Sequence, residues 1–463
     1  MLSWVWFGAL FLIGLLLWGY FLNFGAIPVD FHDWAEVNAP RIAFLKDSVT
    51  KAEMPLHMQD SSALRGITDR YMALPDMILS PQIIILKWIS VQDFVLIHVW
   101  LLYALGFFGL IALKKELNLS LLSFSWIFLL FNFNGHLTAH LSVGHVTWAG
   151  TFLFSWVIVR ALEIQRGVAD YRWLAKTAFL LFFMFLQGAF HQFVWCLIFF
   201  GFLAFGGKKS FFAVLKLLVF TVLLSAVRIL PPALHLADFD SDFLGGFSRP
   251  GQLVRAFFKI ISPMDSLDPT VTGSTLGWWE FDLFIGITAG LFLLLAGGFC
   301  LYQLRKNRSF LMLLLPITAL TLFSLKPIYG LIHQLPIPLL NGERVCSRFL
   351  ILPFSFWLAI AGLGYQKWIN LRRDQLIPLI GSLLPLPLAL AELWSHLATW
   401  KVTESVKAFP YTFTDLSRKV VANHPDPVYT NVLLIGLAIS LAMASFLTIM
   451  AIREQGQLPM KPL

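Results

Sequence analysis

Long apolar runs recur along almost the whole of this 463-residue chain, and they constrain its fold more than any other feature. A helix needs about 20 consecutive apolar residues to cross the hydrocarbon core of a bilayer, where only helices and closed barrels satisfy their backbone hydrogen bonds. The runs that meet or approach this length are 2–24, 92–113, 119–135, 139–161, 173–187, 190–206, 210–229, 282–303, 309–325, 348–366, 375–394 and 430–452. We therefore predict an all-α fold, a polytopic transmembrane bundle of about 12 helices that forms one domain, 1–463.

The composition supports this class of protein. Hydrophobic residues make up 58% of the chain and charged residues only 13%, whereas about a quarter of a soluble domain is charged. The net charge of +8 does not indicate nucleic-acid binding, because Lys and Arg are scattered in short loops between the apolar runs. Cys196, Cys300 and Cys346 show no metal-ligand or disulfide spacing. The run Leu2–Phe24 lacks a preceding basic residue and a cleavage site, so we interpret it as a retained first helix.

The distribution of basic residues predicts the topology. Short loops rich in Lys and Arg lie on one side of the predicted bundle, as is typical of cytoplasmic segments, so both termini are predicted to be cytoplasmic in a plasma (inner) membrane. The alternate loops then face outward: 25–91, 230–281, 326–347 and 395–429. The first of these contains amphipathic pieces that are expected to form interfacial helices. Any chemistry is expected at the outer face, where most Asp and Glu lie.

Two carboxylates follow the first apolar run closely. Asp30 and Asp33 are three residues apart and would share one face if this stretch were helical. A carboxylate at the depth of a lipid headgroup could act as a general base. The alternative is that both are solvated loop acids, with Asp30 as a helix cap.

Other polar residues cluster at predicted outer ends of spans. His136 and His140 are one helical turn apart with His145 nearby. They are either interfacial histidines hydrogen-bonded to neighbouring loops or, if functional, ligands of phosphate or of an acceptor. Arg344 and Arg348 are four residues apart, which would place them on one helical face. Their guanidinium groups suit phosphate oxygens, although snorkelling or a salt bridge to Glu343 would also explain them.

Weaker candidates complete this set. Arg228 and Arg249 are candidates for the same phosphate-binding task. Glu280 could orient sugar hydroxyls beside a stacking surface from Trp279, although acids at a first helical turn often only complement the helix dipole and Trp often belongs to an interfacial belt.

A series of segments in the predicted outer loops resembles a known family. The segments are Val29-Asp30-Phe31-His32-Asp33-Trp34, Pro55-Leu56-His57, Gly135-His136 through Gly144-His145, Arg228-Ile229-Leu230-Pro231-Pro232, Gly277-Trp278-Trp279-Glu280-Phe281 and Glu343-Arg344-Val345-Cys346-Ser347-Arg348-Phe349-Leu350. In this order they resemble the GT-C superfamily of polytopic membrane glycosyltransferases, in particular its loosely characterised bacterial branch. The chain departs from that pattern at His57, at Cys346 and in having no large soluble C-terminal domain.

The resemblance implies a transferase that moves a sugar from a polyprenyl-phosphate donor to an acceptor at the extracytoplasmic face. Asp30 would be the base and Asp33 the alternative, with phosphate bound by arginines and the substrate contacted by His32, the three histidines named above, Glu280 and Trp279. No cofactor and no metal site are predicted, with a divalent metal left open. Partners would be the lipid-linked donor, membrane lipids and, for a subunit of a membrane complex, another membrane protein. Two rivals remain: a lipid or glycolipid transporter (flippase), and a non-catalytic GT-C-like subunit of a membrane complex.

Overall fold

A computed structural model of the protein describes residues 2–74, 76–77, 79–235, 243–335, 343–371, 380–381 and 384–456. These residues form helices and loops, with isolated β-bridges but no β-strand among them. The α-helices, numbered here in chain order, are α1 Leu2–Phe21, α2 Ala39–Lys51, α3 Val91–Glu116, α4 Leu121–Asn132, α5 Gly135–Ser142, α6 Phe154–Gln165, α7 Tyr171–Leu186, α8 Phe190–Leu203, α9 Lys208–Leu224, α10 Ala226–Ala233, α11 Pro250–Phe258, α12 Pro269–Thr272, α13 Ile287–Leu304, α14 Arg308–Phe323, α15 Lys326–His333, α16 Ile351–Leu371, α17 Pro385–Thr399, α18 Val402–Ser405 and α19 Pro427–Gly456. The predicted all-α class is confirmed.

Short helices of other types link these elements. One is a π-helical segment, Trp34–Asn38. The others are 3₁₀ helices: Asn23–Gly25, Ser61–Leu64, Tyr71–Ala73, Pro81–Lys87, Val146–Leu153, Ala204–Gly206, Pro263–Asp265, Trp278–Glu280, Cys346–Leu350 and Leu416–Arg418. Several of them, together with α2, lie in segment 25–91.

Six helical segments among the described residues are long and apolar enough to cross a membrane, which indicates a membrane protein. They are Ser3–Phe21, Val91–Glu116, Val146–Gln165, Ile287–Leu304, Cys346–Leu371 and Pro427–Glu454. A seventh span results if α9 and α10, which meet at a 69° bend, count as one. The prediction of about 12 spans is not confirmed.

The other predicted runs form helices that are shorter than these six segments. The run 119–135 becomes α4, a helix of only 12 residues, because Asn134 caps the N-terminus of α5 and so starts a new helix there. The runs 190–206 and 309–325 form shorter apolar helices, and 173–187 forms the 16-residue α7. The run 375–394 lies partly outside the described residues, and its residues from Pro385 onward belong to α17.

Small residues allow the long helices to pack closely. A Cβ on Gly364 of α16 would lie 2.0 Å from the carbonyl oxygen of Ala296 on α13, so these backbones nearly touch. Gly436 of α19 approaches the Ala226 carbonyl in the same way, and Ser440 accepts a hydrogen bond from the Val227 amide (3.0 Å). Close backbone contact thus joins α13 to α16 and α10 to α19.

The side of the membrane on which each loop lies remains a prediction that reporter fusions can test. A reporter fused after Gly207 is expected to read cytoplasmic, and one fused after Arg249 to read external, because the loops rich in Lys and Arg stay inside. Measuring both fusions with a paired reporter that is active on only one side gives the orientation. Swapped readings would reverse the assignment of the outer face.

Candidate functional site

The candidate site begins where the chain leaves α1 and meets the turn after α5. The Trp34 indole donates to the Ser142 carbonyl (2.9 Å), and His32 Nδ1 lies 3.3 Å from the Val143 carbonyl oxygen. Gly144 has a φ of +102°, and a Cβ there would lie 2.6 Å from the Trp34 amide nitrogen. Only glycine fits this conformation and this approach, so the two segments are locked together.

A chain of hydrogen bonds runs from Asp33 through two histidines. Asp33 Oδ2 lies 2.8 Å from His145 Nε2, and His145 Nδ1 lies 2.7 Å from His140 Nδ1. One consistent set of neutral tautomers has His145 Nε2–H donating to Asp33 and His140 Nδ1–H donating to His145. His140 Nε2 would then carry a lone pair, and this buried atom has no hydrogen-bond partner in the described part of the chain.

Electrostatics keep the Asp33 carboxylate ionised. Burial raises its pKa, but the hydrogen bond from His145, together with the positive charge of Arg65, outweighs burial and holds the pKa well below its usual value. The neighbouring His32 has a lowered pKa, chiefly because of its burial. Asp33 is one quarter exposed, so an ionised carboxylate faces the space beside this loop.

A buried ion pair forms the second half of the site. Arg348 donates to both oxygens of Glu280, from Nε (2.6 Å) and from Nη2 (2.7 Å), and its Nη1 lies 3.6 Å from Glu343. Glu343 also accepts from His191 (2.8 Å) and from the Trp195 indole (3.2 Å). Burial raises the pKa of Glu343, but His191 and then Arg348 lower it to about 2.

Trp148 joins the two halves. The His140 ring stacks on it with centroids 4.2 Å apart, and the Arg348 guanidinium lies 5.2 Å from its ring centroid. The His191 ring is nearly parallel to it at 5.9 Å. One buried aromatic side chain thus contacts both the histidine chain and the ion pair.

Two further arginines face this region without a carboxylate partner. In the described ranges, neither Arg344 nor Arg65 has a carboxylate within 4.0 Å. The Arg344 guanidinium lies 5.3 Å from the ring centroid of Phe243, which is itself 43% exposed. Burial lowers the Arg344 pKa first, and the positive charges of Arg65 and Arg348 lower it further. Positive charge therefore accumulates beside an exposed apolar side chain.

One group of ligand atoms at the site could hold a divalent metal. His140, His145 and Glu280 each offer an atom within 4.8 Å of the others. Glu280 is already bound to Arg348 and His145 to Asp33, so a metal would have to displace hydrogen bonds. The prediction of no metal stays a prediction.

The remaining predicted residues are placed as follows. His136 packs on His140 with ring centroids 4.5 Å apart, and Trp279 contacts His32 edge-on at 4.7 Å. Asp30 is half-buried, and its Oδ1 is enclosed without a hydrogen-bond partner among the described residues. Its backbone carbonyl accepts from the Thr412 amide (2.8 Å).

Arg228 and Arg249 lie in different surroundings. Arg228 is fully buried and donates to the carbonyls of Met72 (3.1 Å) and Leu74 (2.6 Å), so its charge is used to hold the segment 25–91. Arg249 is exposed and immediately precedes α11. In the described part of the chain, neither arginine forms a hydrogen bond or an ion pair with the histidine chain or with the Glu280–Arg348 pair, and their phosphate-binding role stays a prediction.

Two geometric expectations need correction. Asp30 and Asp33 do not share a helical face, because His32 between them has a φ of +44° and turns the chain. Arg344 and Arg348 do not share one either, because Arg344 precedes the helical segment that starts at Cys346. Their guanidinium groups contact different partners, Phe243 and Glu280 respectively.

Sequence reasoning missed several residues of the site: Arg65, Trp148, His191, Trp195 and the central place of Glu343. His191 follows Gly188, which has a φ of +77°, and such a glycine between two apolar runs is a signal that the chain breaks there. Arg65 stands in a long polar loop, where no local pattern marks it.

Comparisons with protein-family models, with curated proteins and with solved structures find no match to this chain.

Proposed function

We propose that the chain is a membrane glycosyltransferase that moves a sugar from a polyprenyl-phosphate donor to an acceptor hydroxyl at the outer face. The observation that carries the proposal is a carboxylate, Asp33, that is hydrogen-bonded to a histidine chain and lies within the electrostatic influence of Arg65, which in turn acts on Arg344. Neither arginine has a carboxylate partner among the described residues. These are the groups that such a transfer needs: a base for the acceptor and cations for the departing phosphate.

The reaction assigns a role to each group. The acceptor oxygen attacks the anomeric carbon, the bond from that carbon to the phosphate oxygen breaks, and the acceptor proton passes to Asp33. His145 donates to the other Asp33 oxygen and holds the carboxylate in place. Asp33 is preferred to Asp30 as the base on geometry, because its carboxylate is one quarter exposed and hydrogen-bonded to His145, whereas Asp30 has no side-chain hydrogen-bond partner in the described part of the chain.

Arg344 and Arg65 are the proposed phosphate ligands. Arg348 is neutralised by Glu280 and Glu343 at close range, which leaves less of its charge for a ligand. Arg344 lies over the exposed ring of Phe243, and Val254 and Phe258 on α11 are exposed as well. A cation beside an apolar surface suits a ligand whose phosphate is polar and whose tail is a hydrocarbon.

Donor binding tests this proposal directly. Arg344→Gln is expected to weaken binding of a polyprenyl phosphate by about 10–100-fold, because a charge-assisted hydrogen bond contributes roughly 1.5–3 kcal/mol. Arg344→Lys should weaken this binding less than Arg344→Gln does, because lysine keeps the positive charge although it lacks the fork-shaped set of donors. Native mass spectrometry of the detergent-purified chain, with the matching polyprenol as reference ligand, measures the difference.

The control is Arg418→Gln, which removes an exposed arginine paired with Asp415 and should leave binding unchanged. Equal binding of the polyprenol and its phosphate would contradict the proposal. Movement of the lipid between leaflets of a proteoliposome, without release of sugar from any polyprenyl-phosphate sugar supplied, would favour the transporter instead.

A further inference from the structure

A second cluster of polar side chains lies where the first outer loop meets the segment before α19. The Ala422 amide donates to the His57 carbonyl (3.0 Å), and the His57 amide donates to Asn423 Oδ1 (3.0 Å). Met58 and Val421 form an antiparallel bridge beside them. Two segments more than 360 residues apart in sequence are thus joined at His57.

Three side chains at this junction have the chemistry of metal ligands. His57, Asp69 and His424 each offer a ligand atom within 4.8 Å of the others. The His57 and His424 rings have centroids only 3.9 Å apart, and His424 Nε2 lies 2.7 Å from Asp69 Oδ2. Two imidazoles and a carboxylate favour Zn²⁺ over Mg²⁺ or Ca²⁺, which prefer oxygen ligands.

The surroundings of His57 point to a ligand independently of this clustering. His57 is 1% exposed, and its Nε2 lies 3.3 Å from Asp426 Oδ2. Its other nitrogen, Nδ1, is buried and has no hydrogen-bond partner within the described ranges. An unpaired buried polar atom is costly. An imidazole that donates one N–H to a carboxylate and presents its other nitrogen as a lone pair is the usual arrangement of a metal-bound histidine.

The supporting carboxylate is itself held in place. Asp426 accepts from Arg70 Nε (2.6 Å) and Nη2 (3.0 Å). Arg70 follows Asp69 directly and forms an antiparallel bridge with His57. The ligand Asp69 and the arginine that holds Asp426 therefore belong to one short stretch of chain. Such outer contacts fix the orientation of metal ligands before the metal binds.

We propose that His57, Asp69 and His424 form a zinc site that joins the first outer loop to the segment leading into α19. Three protein ligands leave the fourth tetrahedral position for water. The side chains of His424 and Asp69 are 51% and 43% exposed, so they have room to separate from their present contact and admit the ion. The zinc site goes beyond the proposed sugar transfer and does not depend on it.

Metal binding to the full-length chain tests the zinc site. The chain is purified with an affinity tag that lacks histidine, stripped with a chelator, and titrated with Zn²⁺ against a chromophoric competitor. We expect one tight site per chain and a rise in melting temperature with Zn²⁺. His424→Ala should weaken binding by more than about 100-fold, and Asp426→Asn, which removes only the support, by about 10–100-fold.

The matched control is His145→Ala, because His140, His145 and Glu280 form the other three-ligand group among the described residues. This variant is expected to keep the tight site. Loss of zinc in His145→Ala with retention in His424→Ala would overturn the assignment, as would the absence of stoichiometric zinc in the wild-type chain. Asp69→Asn is a second variant at an exposed ligand, so a folding defect in one variant does not decide the outcome.

Discussion

Replacing Asp33 with asparagine is expected to lower sugar transfer by about 10²–10⁴-fold, the usual contribution of a general base. Asparagine keeps the shape of the side chain and one oxygen that can accept from His145, but it cannot take the acceptor proton. The fold should survive, because the contacts between Trp34 and the Ser142 carbonyl and around Gly144 do not involve the carboxylate. Sugar transferred from a panel of polyprenyl-phosphate sugars, measured by mass spectrometry with the purified chain, gives the rate.

Asp30→Asn is the matched comparison, since it makes the same chemical change three residues earlier. Asp30 lies outside the network of Asp33, His145 and His140, so its loss should reduce transfer less than the loss of Asp33. A large effect of Asp30→Asn with little effect of Asp33→Asn would restore Asp30 as the base. If the wild-type chain transfers sugar and both variants do so at the same rate, neither carboxylate is the base and the assignment is wrong.

The helical class of the fold is predictable because apolar runs in a membrane have only helices and closed barrels available to them. The number of spans is less predictable, because single polar or small residues end helices within apolar surroundings. Asn134 separates α4 from α5, and Ser225 marks the bend between α9 and α10. Hydropathy averaged over a window does not detect such caps and bends.

The site is predictable in its parts but not in its pairings. The loop containing Asp33 and the motif ending in His145 can be selected from the sequence, yet the bond between them joins residues 112 positions apart. The partnership of Glu280 and Arg348 spans 68 positions. The choice of Asp30 over Asp33 depended on the family resemblance, and the positive φ of His32, which separates the two, leaves no trace in the local pattern. Pairings of this kind are set by helix packing rather than by local sequence.

The second large effect is expected at the buried pair of Glu280 and Arg348. Arg348→Met should lower the free energy of unfolding by about 3–5 kcal/mol, because it leaves the Glu280 carboxylate buried without its partner. The side chains are only 11% and 9% exposed, so water cannot replace the lost interaction. The double variant Arg348→Met/Glu280→Met removes both charges and should recover most of the loss. Reversible unfolding in sodium dodecyl sulfate, followed by tryptophan fluorescence, measures all four members of the cycle.

An exposed pair provides the control for this cycle. Arg418→Met breaks an ion pair with Asp415 in which both side chains are exposed, and it should leave the unfolding free energy unchanged within error. If Arg348→Met also leaves the free energy of unfolding unchanged, the pair does not stabilise the fold and Arg348 is available to bind a ligand. If the double variant is as unstable as the single one, the destabilisation comes from lost packing against Trp148 rather than from an isolated charge. The cycle therefore separates a structural ion pair from a ligand-binding arginine, because only the structural pair predicts recovery when both charges are removed.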